Sequence, residues 1–138
     1  MNLNTKIKNF IFIIFFIAYS SINESFGERR ICMIGDATPN GWDKGSASPL
    51  SYTNNSSTTF CYKGYLKTGN FKFIFENTDD SWLPTWNKTD DTHLYKRTSQ
   101  SQGDNLFNIS TAGNYAVTID TAALTIKVET LTETTPIS

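Results

Sequence analysis

Thr58 to Glu76 reads TTFCYKGYLKTGNFKFIFE, and its periodicity decides the fold class. Phe71, Phe73 and Phe75 alternate with Lys72, Ile74 and Glu76, the period-two pattern of a strand with one face against a core. A preceding run places Phe60, Tyr62 and Leu66 on one parity. Lys67-Thr68-Gly69-Asn70 separates the runs, and Gly with Asn there supplies the positive φ of a tight turn. The pattern predicts a β-hairpin whose apolar faces are buried together. Lys72 falls on the opposite, outer face, where most lysines are solvated.

On the N-terminal side, Arg30 to Gly35 (RICMIG) reads as the first strand, and Asp36 to Asp43 as a loop marked by Pro39, Asn40 and Gly41. Lys44 to Ser57 is a polar connection tethered at Pro49-Leu50. On the C-terminal side, Asn77 to Ser81 is rich in turn formers. Trp82-Leu83-Pro84-Thr85-Trp86 follows, a segment that Pro84 is expected to keep from being a central strand. His93 to Arg97 reads as a short edge strand, Thr98 to Asp104 as a polar loop, and Asn105 to Ile109 as a strand. A last hairpin pairs Tyr115, Val117 and Ile119 with Leu124, Ile126 and Val128 across Thr121-Ala122-Ala123. Beyond the N-terminal apolar segment, no stretch of ten residues keeps a helical period. About seven short strands predict an all-β, antiparallel β-sandwich of immunoglobulin-like type.

Lys6 and Lys8 precede an apolar run from Phe10 to Ala18, too short for the roughly 20 residues that a bilayer requires. Small residues follow, so residues 1–27 read as a secretory signal peptide, with cleavage after Ser20 or Gly27. No cysteine stands just behind the apolar run, which gives no support to a lipoprotein anchor. The expected product is exported, either secreted or associated with the outer membrane. It comprises one sandwich domain over 28–130 and a Thr/Glu/Pro tail over 131–138. Losing two lysines and one glutamate takes the formal charge from −1 to −2, and no basic run exists to neutralise phosphates, so nucleic acid is not an expected partner.

Cys32 and Cys61 are the only cysteines, and both fall in expected strands. A disulfide between them would close a loop of about 30 residues, worth about 3.5 kcal/mol on a chain-entropy model. Two reduced thiols packed in neighbouring strands is the other reading.

Catalysis is not expected. The single histidine, His93, has no nucleophile motif around it, and Asp79-Asp80 and Asp90-Asp91 lie in turn-rich stretches where Asp bonds locally. No calcium-loop spacing or zinc-ligand set is present, and no cofactor or metal is implied. Asn54, Asn55, Asn87 and Asn108 begin Asn-X-Ser/Thr triplets, which matter only where such sites are glycosylated.

The tryptophans carry the functional expectation. Trp42, Trp82 and Trp86 offer flat, rigid faces, and a pyranose ring presents a face of C–H groups with a rim of hydroxyls. Covering ~50 Å² of that face at about 25 cal/mol per Å² gives roughly 1.3 kcal/mol per ring. Trp82 and Trp86 share one polar, Pro-containing segment, where exposure is expected. Trp42 suits either a platform or a plug at the end of the sandwich. Tyr95 suits stacking or edge packing.

The order of short motifs carries a resemblance. Ile34-Gly35-Asp36 through Gly41-Trp42-Asp43, Pro49-Leu50, Tyr62-Lys63-Gly64-Tyr65-Leu66 and Gly69-Asn70-Phe71-Lys72-Phe73 are followed by Trp82 with Pro84, Asp104-Asn105 with Phe107, and Ala112-Gly113-Asn114-Tyr115. This series resembles the starch-binding modules of SusE/SusF-type outer-membrane proteins. More distantly it is similar to glycogen-binding modules of starch-branching and debranching enzymes. The resemblance implies a non-catalytic module for starch-like α-glucans, with other polysaccharide-utilisation proteins at the cell surface as partners. The motif positions of glycogen-binding modules match Trp42, Lys72, Trp82 and Asn105, which the similarity implies as sugar contacts, with Trp86 as a substitute for Trp82. A β-sandwich used for adhesion or assembly, with buried tryptophans, is the competing expectation.

Overall fold

The computed structural model describes residues 30–53, 56–76 and 82–132. The signal-peptide reading, the Asn54 and Asn55 triplets, Asp79-Asp80 and the end of the tail lie outside the described residues. Among those described, about half lie in strands, the helical content is one short 3-10 turn, and no helix is long and apolar enough to cross a membrane. The strands are β1 (Ile31–Ile34), β2 (Ser48–Pro49), β3 (Ser51–Tyr52), β4 (Thr59–Leu66) and β5 (Gly69–Phe75), then β6 (Thr85–Lys88), β7 (Leu94–Arg97), β8 (Phe107–Ile109), β9 (Gly113–Asp120) and β10 (Thr125–Thr130). They form two antiparallel sheets. Sheet A runs β2-β1-β5-β6-β7, with β8 also paired to β5, and sheet B runs β10-β9-β4-β3. Ten strands replace the expected seven because β2 and β3 arise in the polar connection around Pro49-Leu50 and because Thr85–Lys88 is a strand.

The expected hairpin from Thr58 to Glu76 is not formed. β4 pairs with β3 and β9, while β5 pairs with β1, β6 and β8. Lys67-Thr68 therefore carries the chain from one sheet to the other. Two strands each with one strongly apolar face, side by side in one sheet, would leave those faces uncovered; stacked face to face, they cover one another. Phe60 and Leu66 from β4 and Phe71 and Phe73 from β5 all enter one core, together with Met33, Trp86, Phe107, Val117 and Ile119. Phe71 and Phe107 stack with ring centroids 5.3 Å apart. The link bonds to the loop after β1 rather than to itself: Lys67 N donates to Ala37 O at 2.8 Å, and Ala37 N donates to Asn70 O at 3.1 Å.

Both faces of sheet A are covered. Ile31 and Met33 enter the main core, while Cys32 and Ile34 turn the other way and pack with Ile74 on the outer face. Cys61 lies on the parity opposite Phe60 and Leu66, on the outer face of sheet B, where its partners are Tyr62 O and the Thr118 hydroxyl. The two cysteines thus point outward from opposite sheets and both are free. This corrects the disulfide expectation and the neighbouring-strand reading alike. Burial, with a further push from the Glu76 charge, raises the Cys32 thiol to about 11. Thiolate is the reactive form, so iodoacetamide at neutral pH should modify only Cys61 in the native chain and both cysteines after denaturation without reductant. A denatured, unreduced chain with no titratable thiol would contradict the two-sheet placement.

The last hairpin forms as expected, with Ile126 opposite Ile119 and Val128 opposite Val117. Leu124 is not part of it. It ends the turn with φ 60°, and Asp120 Oδ1 holds that turn by accepting from Ala122 N and Ala123 N.

Candidate functional site

The outer face of sheet A carries the site because of its register. Ile74 stands opposite Thr85, and Thr85 opposite Arg97; Asn87 stands opposite Tyr95. Lys72 shares this face with Thr85, Asn87 and Arg97, since Phe71 and Phe73 occupy the inner one. The outward placement of Lys72 follows the alternation. Its expected solvation does not: Lys72 is only 4 % exposed.

Two loops close over that lysine. Gly35 N donates to Gly41 O at 3.0 Å, Gly41 N to Thr38 O at 3.2 Å, and Thr38 N to Gly35 O at 2.9 Å. The loop is thereby tied to itself, with Ala37 and Thr38 fully buried beneath it. It delivers Trp42 to the rim of the site. Asp43 then caps a short 3-10 turn, Lys44–Ser46, by accepting from Gly45 N. Opposite, the chain re-enters at Trp82. The Lys72 ammonium lies 5.8 Å from the Trp42 ring centroid and 5.6 Å from that of Trp82, and the Lys44 ammonium lies 5.1 Å from Trp82. Such cation–ring contacts are worth about 0.5–2 kcal/mol each, and they help to hold both indoles in place. Trp42 is 39 % exposed and Trp82 37 %.

Asp104 supplies the counter-charge. Lys72 Nζ donates to its two oxygens at 2.9 and 3.1 Å, and Arg97 approaches Oδ1 at 3.9 Å. Partial burial pushes the Asp104 carboxyl up. The hydrogen bonds from Lys72 and Asn87, with the charges of Lys72 and Arg97, outweigh that and leave it below its ordinary value. The loop that carries Asp104 is braced from the sheet. Arg97 Nε donates to Gln102 O at 3.0 Å, and the Tyr95 hydroxyl donates to Gly103 O. Tyr95 is therefore a loop brace rather than a platform.

Trp42, Lys72, Trp82, Arg97, Gln100 and Asp104 together line a shallow basin of about 320 Å³. Roomier depressions of about 370, 410 and 500 Å³ occur elsewhere, and none of them is lined by tryptophan. The basin offers two aromatic faces and a lysine–carboxylate pair beside Arg97. Flat rings and polar groups of this kind can cover a C–H face and bond to hydroxyls.

Of the residues expected in a site, Trp42, Lys72 and Trp82 are brought together. Trp86 is not. It lies in β6, 3 % exposed, edge-on to Phe75 with ring centroids 4.8 Å apart. The strand begins immediately after Pro84 and runs between β5 and β7, so the parity that puts Thr85 outward puts Trp86 inward. Asn105 is exposed and contributes its main chain: its carbonyl accepts from Asn87 Nδ2 at 2.9 Å and from Lys88 N at 3.1 Å. The neighbouring Asp104 supplies the side chain in the basin.

Sequence reasoning assigned none of Asp104, Arg97, Gln100 and Asn87 to the site; it read Asp104 only within the motif order and Asn87 only as the start of an Asn-X-Thr triplet, and Asn87 is fully buried. A buried lysine demands a counter-charge, but only the structure shows that Lys72 is buried. No family model matches the chain, and neither a curated protein nor a solved structure matches it.

Proposed function

We propose that the chain is a non-catalytic, exported carbohydrate-binding module that takes starch-like α-glucan in the basin between Trp42 and Trp82. The observation that carries this reading is the convergence of two half-exposed indoles on the paired ammonium and carboxylate of Lys72 and Asp104. Each indole covers the C–H face of one sugar ring. The carboxylate, with 46 % of its side chain exposed, accepts hydroxyl hydrogen bonds from the ring edge. The resemblance to SusE/SusF-type modules selects α-glucans among neutral polysaccharides, and the more distant similarity to glycogen-binding modules matches Trp42, Lys72 and Trp82 to sugar-contact positions.

Two stacked rings at roughly 1.3 kcal/mol each and two or three net hydrogen bonds of about 1 kcal/mol each sum to roughly 5 kcal/mol. Association costs reduce that, so the dissociation constant for one chain of sugars is expected near millimolar. Maltoheptaose titrated into the described domain should quench tryptophan fluorescence in that range. Trp42→Ala and Trp82→Ala should each weaken binding several-fold, and salt should matter little for an uncharged ligand. No response up to tens of millimolar, with the fold intact, would favour the adhesion or assembly reading.

A further inference from the structure

Asn87 is fully buried on the outer face of sheet A, beneath the basin. Its amide has one consistent orientation. Oδ1 accepts from the Thr85 hydroxyl, while Nδ2 donates to Asp104 Oδ1 at 2.7 Å and to the Asn105 carbonyl at 2.9 Å. A flipped amide would set oxygen against two acceptors and nitrogen against a hydroxyl, so the hydrogen-bond network itself assigns the amide.

We propose that Asn87 is the positioning residue of the basin: it fixes the Asp104 carboxylate over Lys72, so glucan affinity depends on a side chain that no sugar touches. An ammonium is a compact point charge with rotatable donors and imposes little direction on a carboxylate. The neighbouring Arg97 lies beyond hydrogen-bond distance from Asp104. Directionality therefore comes from the amide, which β6 holds rigidly and the Thr85 hydroxyl locks. The second Nδ2 bond, to the Asn105 carbonyl, fixes the backbone on which Asp104 rides. Sequence position supports this: Thr85 and Asn87 are the outward residues of a strand whose inward residue is Trp86, so core packing sets where the amide stands.

The inference rests on the glucan reading of the basin, and its test has one readout that does not. Asn87→Ala and Thr85→Val, the latter exchanging a hydroxyl for a methyl of similar size, are compared with the wild-type chain. Maltoheptaose affinity is measured by calorimetry, and the Asp104 carboxyl is titrated by carbon NMR. The charged groups facing Asp104 are Lys72 from β5 and Arg97 from β7, with Lys44 nearby over Trp82; all stay in place in both variants. Asn87 stabilises the ionised form, so its loss should move the Asp104 midpoint upward toward the ordinary 3.8. Asn87→Ala should also weaken maltoheptaose binding by roughly tenfold, and Thr85→Val should move both readouts the same way by less. A merely structural role would lower stability and leave midpoint and affinity of the folded chain unchanged; that result overturns the proposal. Should Asn87→Ala not fold, the same two readouts on Thr85→Val decide. Should the wild-type chain not bind maltoheptaose, the glucan reading falls and the Asp104 midpoint alone decides the positioning claim.

Discussion

Trp86→Ala is expected to lower the unfolding free energy by about 4 kcal/mol, while the folded fraction keeps its affinity for glucan within about twofold. Removing a buried tryptophan from a core costs about 3–5 kcal/mol, through lost transfer energy and the cavity left behind. Trp86 has that environment: it is edge-on to Phe75, opposite Phe73 across the strand pair, and the Lys96 ammonium stands 5.7 Å from its ring centroid at the sheet edge. Trp42 and Trp82 are each more than a third exposed. At rings this exposed each cation–ring contact is worth about 0.5–1 kcal/mol, so their alanine variants should lose about 2 kcal/mol of stability or less, the larger loss at Trp82 with its two contacts, and lose binding instead. Urea unfolding of the three variants separates the roles. A Trp86→Ala midpoint close to that of the wild-type chain would mean that the indole is not in the core.

Gly35→Ala should be comparably damaging from outside the core, by roughly 4 kcal/mol, combining backbone strain with a steric clash. Gly35 adopts φ +144°, a conformation that side chains with a Cβ rarely take. An added Cβ would sit 2.1 Å from Asn70 O and 2.6 Å from Phe71 Cα. These are main-chain atoms of β5, paired there with β8, so they have little freedom to retreat. The loop from Gly35 to Gly41 also aims Trp42. Whatever folded Gly35→Ala protein remains should therefore bind maltoheptaose more weakly, whereas Trp86→Ala protein should not. Thermal unfolding and fluorescence titration of both variants check this. A Gly35→Ala chain with wild-type stability would show that the loop and β5 are not in contact as described.

The alternation in Phe71-Lys72-Phe73-Ile74-Phe75 was enough to place β5, its inner face and the outward direction of Lys72. The alternation from Tyr115 to Val128 was enough for the last hairpin apart from Leu124. Periodicity says which residues share a face; it does not say which strand lies alongside. Hence Phe60–Leu66 and Phe71–Phe75, each with a clear apolar parity and joined by a turn, read as a hairpin although they face one another across the core. The same gap explains the cysteines, whose strands were legible and whose opposite outward directions were not. Pro84 misled for a local reason: it bars a ladder donor only at its own position, and β6 starts one residue later. Trp42, Lys72 and Trp82 were legible through the motif order. Asp104, Asn87 and Arg97 were not, because their roles follow from the burial of Lys72, a property of loops closing over a sheet rather than of any spacing in the chain.

The indole N–H signals of the three tryptophans, followed by nitrogen–proton NMR while maltoheptaose is added, test the central claim most directly. Each indole gives one resolved probe of its own surroundings. The Trp42 and Trp82 signals should move together along one binding curve in the millimolar range, with the Trp86 signal still. Movement of Trp86 alone, or no movement of Trp42 and Trp82 at tens of millimolar ligand, would contradict the basin as a glucan site.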